Sequence, residues 1–124
     1  MLFGLYHKVN KIIVGACQYN IGTYVARFPE VYEKMMGREP SEVEIAFLDS
    51  LIEKQLDKAE KSRCYPEIHI LYSKKELTYE RQIKDLLLRL EGSRFPTILV
   101  EETFEDHSEV GKYFGPYLKK LFVE

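Results

Sequence analysis

The chain has 124 residues, of which 45% are apolar and 31% are charged, and its formal net charge at pH 7 is −2. This length suits one domain that buries its own core, and we expect residues 1–124 to form a single α/β domain. The composition is typical of a folded chain, and the small net charge excludes a protein that coats nucleic acid through its overall charge.

No apolar run approaches the roughly 18 residues that a membrane span needs, and Met1–Leu5 is too short for the apolar region of a signal peptide. We therefore expect a cytoplasmic protein with no membrane partner. Cys17 and Cys64 are far apart in the sequence, which favours two free thiols in a reducing compartment. Asn and Gln are scarce beside Glu and Lys, a balance that is reported for thermophilic proteins.

The first predicted elements are two strands, Leu2–Tyr6 and Lys11–Cys17, which are close enough in sequence to form a hairpin. Asn10, just before the second strand, suits a left-handed turn position. The apolar residues Ile12–Val14 are consecutive rather than alternating, which predicts a central strand that is covered on both faces.

Helices are predicted next. Asn20 caps a helix that runs through Arg27, and a second helix begins at Pro29 and ends at Gly37. Ser41 and Glu44 form a capping box. It begins the helix that has the clearest sequence signals in the chain, and this helix runs to about Ser62. Its core stripe comprises Ile45, Leu48, Ile52, Leu56 and Ala59.

Three further apolar side chains, those of Val43, Phe47 and Leu51, widen the apolar face in the first half of this helix. Such an excess indicates either a helix wedged between two layers or a dimer contact, and a wedge is the more frequent cause. Both interpretations stay open at this point.

The segment from Pro66 to Glu102 predicts a strand, a helix and a second strand. Ile68–Tyr72 and Thr97–Val100 are the apolar strands, and Gly92 lies where a helix-terminating glycine belongs. Strands joined by a crossover of this length are parallel and right-handed in most proteins.

The C-terminal segment predicts one more helix, in which Gly115-Pro116 should cause a kink or a restart. Its apolar stripe comprises Val110, Tyr113, Phe114, Tyr117, Leu118 and Leu121. The predicted order is β-β-α-α-β-α-β-α. This order gives a mixed sheet of about four strands, made of the N-terminal hairpin and a right-handed β-α-β unit and packed by four to five helices.

Ligands of open α/β sheets bind beyond the carboxyl ends of the parallel strands. If Lys11–Cys17 runs parallel to the two later strands, three loops meet at this edge. The polar residues that these loops would bring are Gln18, Tyr19 and Asn20, then Ser73, Lys74 and Lys75, and then Glu101, Glu102 and Thr103. Lysines beside carboxylates bind phosphate or a divalent metal, or assist proton transfer, whereas solvated loops carry the same residue types without any function.

Five acidic residues surround His107 between Glu101 and Glu109. Hard oxygen ligands of this kind suit Mg²⁺ or Ca²⁺, but the spacing of a calcium-binding loop is lacking. Acidic side chains near a helix start are also explained by the helix dipole, so a solvated loop is the expected interpretation.

The chain contains no Gly-x-x-x-x-Gly-Lys, Gly-x-Gly-x-x-Gly or Gly-x-Ser-x-Gly sequence. Gly4-Leu5-Tyr6, Ile13-Val14-Gly15, Arg27 and Glu80 follow one another in an order that resembles the GIY-YIG nucleases, although Ile13 replaces the second tyrosine. The resemblance implies that Tyr6 assists attack on a phosphodiester, that Arg27 steadies the phosphate and that Glu80 holds a divalent metal such as Mg²⁺.

The absence of a complete catalytic motif favours a non-catalytic interaction module without a cofactor. We expect it to form a homo-oligomer, or to bind a protein partner, through the long second helix or the aromatic terminal helix. One alternative is a metal-dependent nuclease or hydrolase that uses Tyr6, Arg27 and Glu80, and only this alternative implies nucleic acid. The other is a sensor that binds a small ligand or nucleotide at the carboxyl edge of the sheet.

Overall fold

The computed structural model describes Met1 and residues 10–123. Their three strands, β1 (Lys11–Gly15), β2 (Glu67–Ser73) and β3 (Thr97–Glu102), form one sheet in the order β1-β2-β3, and both pairings are parallel. The prediction of a four-stranded mixed sheet with an N-terminal hairpin is therefore wrong. The segment between β1 and β2 folds into helices, and so long a crossover returns the chain in parallel. The predicted strand Leu2–Tyr6 lies outside the described residues.

The described residues form six α-helices. They are α1 (Ile21–Arg27), α2 (Pro29–Met36), α3 (Glu42–Asp49), α4 (Leu51–Lys61), α5 (Lys84–Leu90) and α6 (Val110–Val123). A π-helical turn (Tyr79–Ile83) precedes α5, and a 3₁₀ turn (His107–Glu109) precedes α6. The capping box at Ser41 and Glu44 is present, but the helix that it opens is divided at Ser50, whose hydroxyl donates to the Phe47 carbonyl at 2.8 Å.

β2 is the centre of the sheet and is buried at every position after Glu67. Its parallel pairing with β3 agrees with the prediction for the segment Pro66–Glu102. Because side chains alternate along a strand, Ile68 and Ile70 face one layer of helices, whereas Leu71 faces the other. Both faces of the sheet are therefore covered at its middle strand.

Two clusters of apolar side chains make the core. The larger one joins β2 to α4 and α5, and its members on these helices are Ile52, Leu56, Ala59, Leu86 and Leu90. The smaller one, around Leu71 and Phe104, receives Val110, Tyr113, Phe114 and Tyr117 from α6. The sequence predicted a kink or a restart at Pro116, and the helix α6 continues through this residue without a restart.

His69, in the middle of β2, ties the sheet to α6. It is 2% exposed, and its Nδ1 lies 2.5 Å from the hydroxyl of Tyr117. Its Nε2 contacts the carboxylate of Glu67. Since both ring nitrogens have protein partners, this histidine has a structural role.

Arg89 on α5 is bound by acidic side chains of α4, and we expect its loss to destabilise the fold. Its Nε lies 2.5 Å from Glu53, its Nη2 lies 3.3 Å from Asp57, and Nη2 also contacts Glu60. The Arg89→Met variant leaves these carboxylates facing one another. It should therefore lower the free energy of unfolding in urea by about 1–3 kcal/mol.

Lys84→Met is the matched control for Arg89→Met. Lys84 forms an exposed pair with Glu80 at 3.4 Å, one helical turn away. Exposed pairs of this kind contribute about 0.5 kcal/mol or less, so the control should unfold almost as the wild type does. Equal losses in the two variants would contradict the structural role of Arg89.

Candidate functional site

A cavity of about 280 Å³ opens at the carboxyl edge of the sheet, between α1 and the π-helical turn. Because the strands are parallel, the chain after β1, β2 and β3 converges at this edge. The cavity is lined by Gln18, Thr23, Tyr24, Arg27, Phe28, Glu76, Leu77, Thr78, Arg81, Gln82 and His107. It is the natural place in this fold for a bound ligand.

The turn after β1 brings Gln18 to the cavity. Ala16, the first residue of this turn, has φ of 45°, a left-handed conformation that is uncommon for residues other than glycine. The Cys17 side chain packs against the larger core cluster. Gln18 lines the cavity, and its buried Oε1 has no hydrogen-bond partner among the described residues.

Gln82 holds this turn in place from the π-helical turn. It is 3% exposed, and its Oε1 accepts from the backbone N–H groups of Tyr19, at 2.8 Å, and Asn20, at 2.5 Å. Its Nε2 donates to the Asn20 carbonyl at 3.2 Å. π-Helical turns often occur at functional sites, and here the turn fixes one wall of the cavity to another.

A carboxylate and an imidazole meet in this cavity. Glu76, three residues beyond β2, is 4% exposed, and its Oε1 lies 3.2 Å from Nδ1 of His107. Its Oε2 accepts from the backbone N–H of Thr78 at 3.0 Å and from the Thr78 hydroxyl. Two hydrogen bonds from Thr78 therefore fix the carboxylate, and the imidazole of His107 lies within ion-pair distance of it.

This contact determines which nitrogen of His107 is available for chemistry. A carboxylate oxygen beside Nδ1 favours the tautomer that has its hydrogen on Nδ1 and its lone pair on Nε2. The His107 side chain is 53% exposed and lines the cavity. A histidine that a buried acid orients in this way is suited to act as a general base.

No serine or cysteine lines the cavity, whose residues all belong to the described part of the chain. Burial raises the pKa of the Cys17 thiol to about 11, so this thiol is protonated at neutral pH. The hydroxyls of the two threonines already donate to protein carboxylates, that of Thr23 to Asp49 and that of Thr78 to Glu76. The arrangement thus favours a base that activates a bound substrate over a nucleophile of the protein.

The ligand-binding residues that the sequence predicted lie at the carboxyl edge, but only Gln18 lines the cavity. Asn20 Nδ2 donates to the Arg81 carbonyl at 2.9 Å and to Asp85 at 2.7 Å. Ser73 is buried, and its hydroxyl donates to the Phe104 carbonyl at 2.5 Å.

The remaining predicted ligand-binding residues lie away from the cavity. Lys74 and Glu101 form an exposed pair at 3.7 Å. Lys75 is exposed and Glu102 is half-buried. Neither residue contributes to the cavity wall.

The residues of the nuclease alternative are not assembled in this cavity. Arg27 lines it, but Glu80 does not, because its side chain is 70% exposed and pairs with Lys84. Tyr6 lies outside the described residues. Among the residues that are described, no three acidic, imidazole or thiol groups form a metal site.

Sequence reasoning missed Glu76 as a site residue and assigned His107 to a solvated loop. Both residues could have been found from their positions in the sequence, since Glu76 follows one predicted parallel strand and His107 follows the next. An acid and a histidine placed in this way meet at one edge of the sheet. The lining residues Tyr24, Thr78 and Arg81 carried no such signal.

None of the helices in the described part of the chain is long and apolar enough to cross a membrane. No protein-family model matches the sequence, and no curated protein matches it either.

Solved structures of the capsule O-acetyltransferase of Neisseria meningitidis serogroup A are similar to this chain. The enzyme alone matches with a TM-score of 0.70 over 99% of this chain, and its complex with caged gadolinium matches with 0.72 over 99%. A histidine-to-alanine mutant in complex with CoA matches with 0.70 over 97%. All three are 18% identical to this chain, which spans 50–51% of their length. The chain thus shares its α/β fold with half of that acetyltransferase.

Proposed function

We propose that the cavity is a general-base site for acyl transfer to a hydroxyl group. The contact between Glu76 and Nδ1 of His107 carries this proposal, because it leaves Nε2 free to take a proton. The fold shared with a capsule O-acetyltransferase, which one structure holds in complex with CoA, supports an acyl thioester of CoA as the donor. Because the chain spans only about half of that enzyme, both substrates are part of the proposal.

The proposed reaction needs no covalent intermediate on the protein. Nε2 of His107 takes the proton of the acceptor hydroxyl while the acceptor oxygen attacks the carbonyl carbon of the thioester. The tetrahedral intermediate then loses the CoA thiolate as the carbon–sulfur bond breaks, and the imidazolium returns the proton to that sulfur. Glu76, beside Nδ1, stabilises the imidazolium. The products are an ester and free CoA.

The test is an assay with acetyl-CoA and a panel of sugar and polyol acceptors. Thiol release is followed with a chromogenic disulfide, and the ester is identified by mass spectrometry. Protein-dependent formation of ester and thiol in equal amounts supports the proposal. Thiol release with acetate as the other product assigns water as the acceptor and hydrolysis as the reaction. No thiol release with any acceptor contradicts the proposal.

A second candidate function, self-association, is favoured by apolar side chains on α2 and α3. Val43 is 79% exposed and Phe47 is 55% exposed on the same face of α3, so this face is not wedged between layers. Met35 of α2 is 80% exposed. The hydroxyl of Tyr32 on α2 contacts Glu44 on α3. We propose that the apolar face of α3 with Val43 and Phe47 pairs with the same face of a second copy, since an isologous contact needs no further partner.

Two substitutions that introduce lysine into this face test the self-association. The wild type should sediment as a dimer at tens of micromolar, and the double variant Val43→Lys, Phe47→Lys should sediment as a monomer. Leu88→Lys on α5 is the matched control, since Leu88 is 62% exposed on another helix, and this variant should stay dimeric. A monomeric wild type contradicts the proposal, and so does a double variant that remains dimeric.

A further inference from the structure

Two arginines line the same cavity as His107. Arg27 is contributed by α1 and Arg81 by the π-helical turn, so they reach the cavity from two different walls. Within the described residues, neither guanidinium has a carboxylate oxygen within 4.0 Å. Arg89 differs from both, since acidic side chains surround it. The guanidinium of Arg27 contacts the Phe28 ring, whose centroid lies 5.5 Å from its central carbon, but an aromatic ring does not neutralise its charge. The charge of both arginines is therefore available to a ligand.

The charge of the cavity favours an anion. Glu76 is the one acidic residue among those that line it, and its oxygens are occupied by Thr78 and His107. The positive charges of Arg27 and Arg81 thus exceed the negative charge of the wall. Guanidinium groups bind phosphate through paired, charge-assisted hydrogen bonds. Two guanidinium groups match the double charge of a phosphate dianion better than they match the single charge of a carboxylate ligand.

The other wall residues add one requirement for the ligand. Tyr24, Phe28 and Leu77 give the cavity an apolar side. A suitable ligand therefore carries a phosphate and an apolar part.

We propose that Arg27 and Arg81 form a phosphate subsite that holds a phosphorylated substrate with its reacting end at His107. The inference rests on the proposed acyl transfer for the role of His107, but the binding of phosphate does not require that reaction. Two substrates carry this chemistry, namely the CoA thioester that donates the acyl group and a phosphorylated acceptor such as a sugar phosphate. The subsite serves to align the reacting group with Nε2.

Calorimetric titration with inorganic pyrophosphate, CoA, pantetheine and glucose 1-phosphate tests the subsite. Saturable binding of pyrophosphate is expected. Tighter binding of CoA, with no binding of pantetheine, identifies the donor as the phosphorylated substrate. Tighter binding of glucose 1-phosphate identifies the acceptor instead. Absence of binding by all the phosphorylated probes overturns the proposal.

Variants locate the binding. Arg27→Gln and Arg81→Gln should each weaken pyrophosphate binding by about tenfold or more, as expected for the loss of a charge-assisted hydrogen bond. Arg94→Gln is the matched control, because Arg94 is exposed and lies outside the cavity wall, and it should bind as the wild type does. Equal weakening in all three variants overturns the proposal, since it would indicate attraction by overall charge.

His107→Ala separates this inference from the proposed function. It should lose acyl transfer while it still binds pyrophosphate, so the subsite can be confirmed even if no acyl transfer is found. Circular dichroism and the melting temperature of each variant check that the fold is intact. The double variants that add Arg27→Gln or Arg81→Gln to His107→Ala should bind pyrophosphate more weakly than His107→Ala does. Equal binding by the single and the double variants also overturns the subsite.

Discussion

Replacing His107 with alanine is expected to lower kcat/KM for acyl transfer by at least about 100-fold, and by up to about 10,000-fold, because the acceptor hydroxyl loses its general base. The loss should appear in kcat more than in KM, since Nε2 acts on the proton in the transition state. The side chain is 53% exposed, but its removal takes a partner from the buried carboxylate of Glu76, so the melting temperature should fall slightly while the fold is kept.

Glu76→Gln tests how the base is positioned. A glutamine amide can donate to Nδ1, which favours the tautomer with its hydrogen on Nε2 and so removes the basic lone pair. We expect a fall in kcat comparable with that of His107→Ala and a changed pH profile. Glu105→Gln is the matched control, because Glu105 is exposed and lies outside the cavity wall, and its rate should equal that of the wild type. Full activity in Glu76→Gln would contradict the positioning role.

Cys17→Ala distinguishes the general-base mechanism from a covalent one. The buried thiol, with its pKa raised to about 11, is protonated at neutral pH and packs into the core cluster. The variant should therefore keep the wild-type rate, and iodoacetamide should not inhibit the wild type. A loss of activity in Cys17→Ala as large as that in His107→Ala would assign a thiol nucleophile and would contradict the mechanism proposed above.

The strand–helix–strand unit was predictable because its signals are local. Apolar runs at Ile68–Tyr72 and Thr97–Val100 mark buried strands, and the length of the segment between them requires a parallel return. The pairing of β1 was not predictable in this way. Asn10 suits a hairpin turn, but this signal concerns only its immediate neighbours in sequence. The strand that β1 pairs with begins at Glu67, after a connection that contains four helices, and nothing near Asn10 indicates that distant partner.

The site was only partly predictable because its contacts join distant parts of the chain. Gln18 was found because it directly follows a strand. His107 had acidic neighbours in sequence that explained it as a solvated loop, whereas its actual partner is Glu76, on the loop after β2. The sequence predicted an apolar face on α3 that is wider than one contact needs, and the structure leaves Val43 and Phe47 of this face exposed. The pattern alone does not tell what partner, if any, this face has.

The packing of α1 on α3 gives the largest stability effect that we expect from a single methyl group. A Cβ atom on Gly22 would lie 1.9 Å from the carbonyl oxygen of Ile45 and 2.7 Å from its carbonyl carbon. Both are backbone atoms within α3, so they cannot move without disturbing that helix. Gly22→Ala should therefore lower the free energy of unfolding in urea by about 3 kcal/mol or more, at or above the upper end of the usual overpacking cost.

The Gly22→Ala substitution should also weaken ligand binding in the cavity. Thr23 is tied to Asp49 of α3 through its backbone N–H, at 2.7 Å, and through its hydroxyl, at 3.0 Å, and separation of the helices would break these bonds. Because α1 also carries Arg27, pyrophosphate binding should fall in Gly22→Ala even at temperatures where the variant is folded.

Gly111→Ala in α6 is the matched control, because no described atom outside its own turn of α6 lies within 4 Å of the added Cβ position. Alanine has the higher helix propensity, so this variant should be more stable than the wild type by up to about 1 kcal/mol. The two glycine variants are thus expected to change stability in opposite directions. Equal urea midpoints for both would contradict the close contact between α1 and α3, and with it the position of the cavity wall that α1 provides.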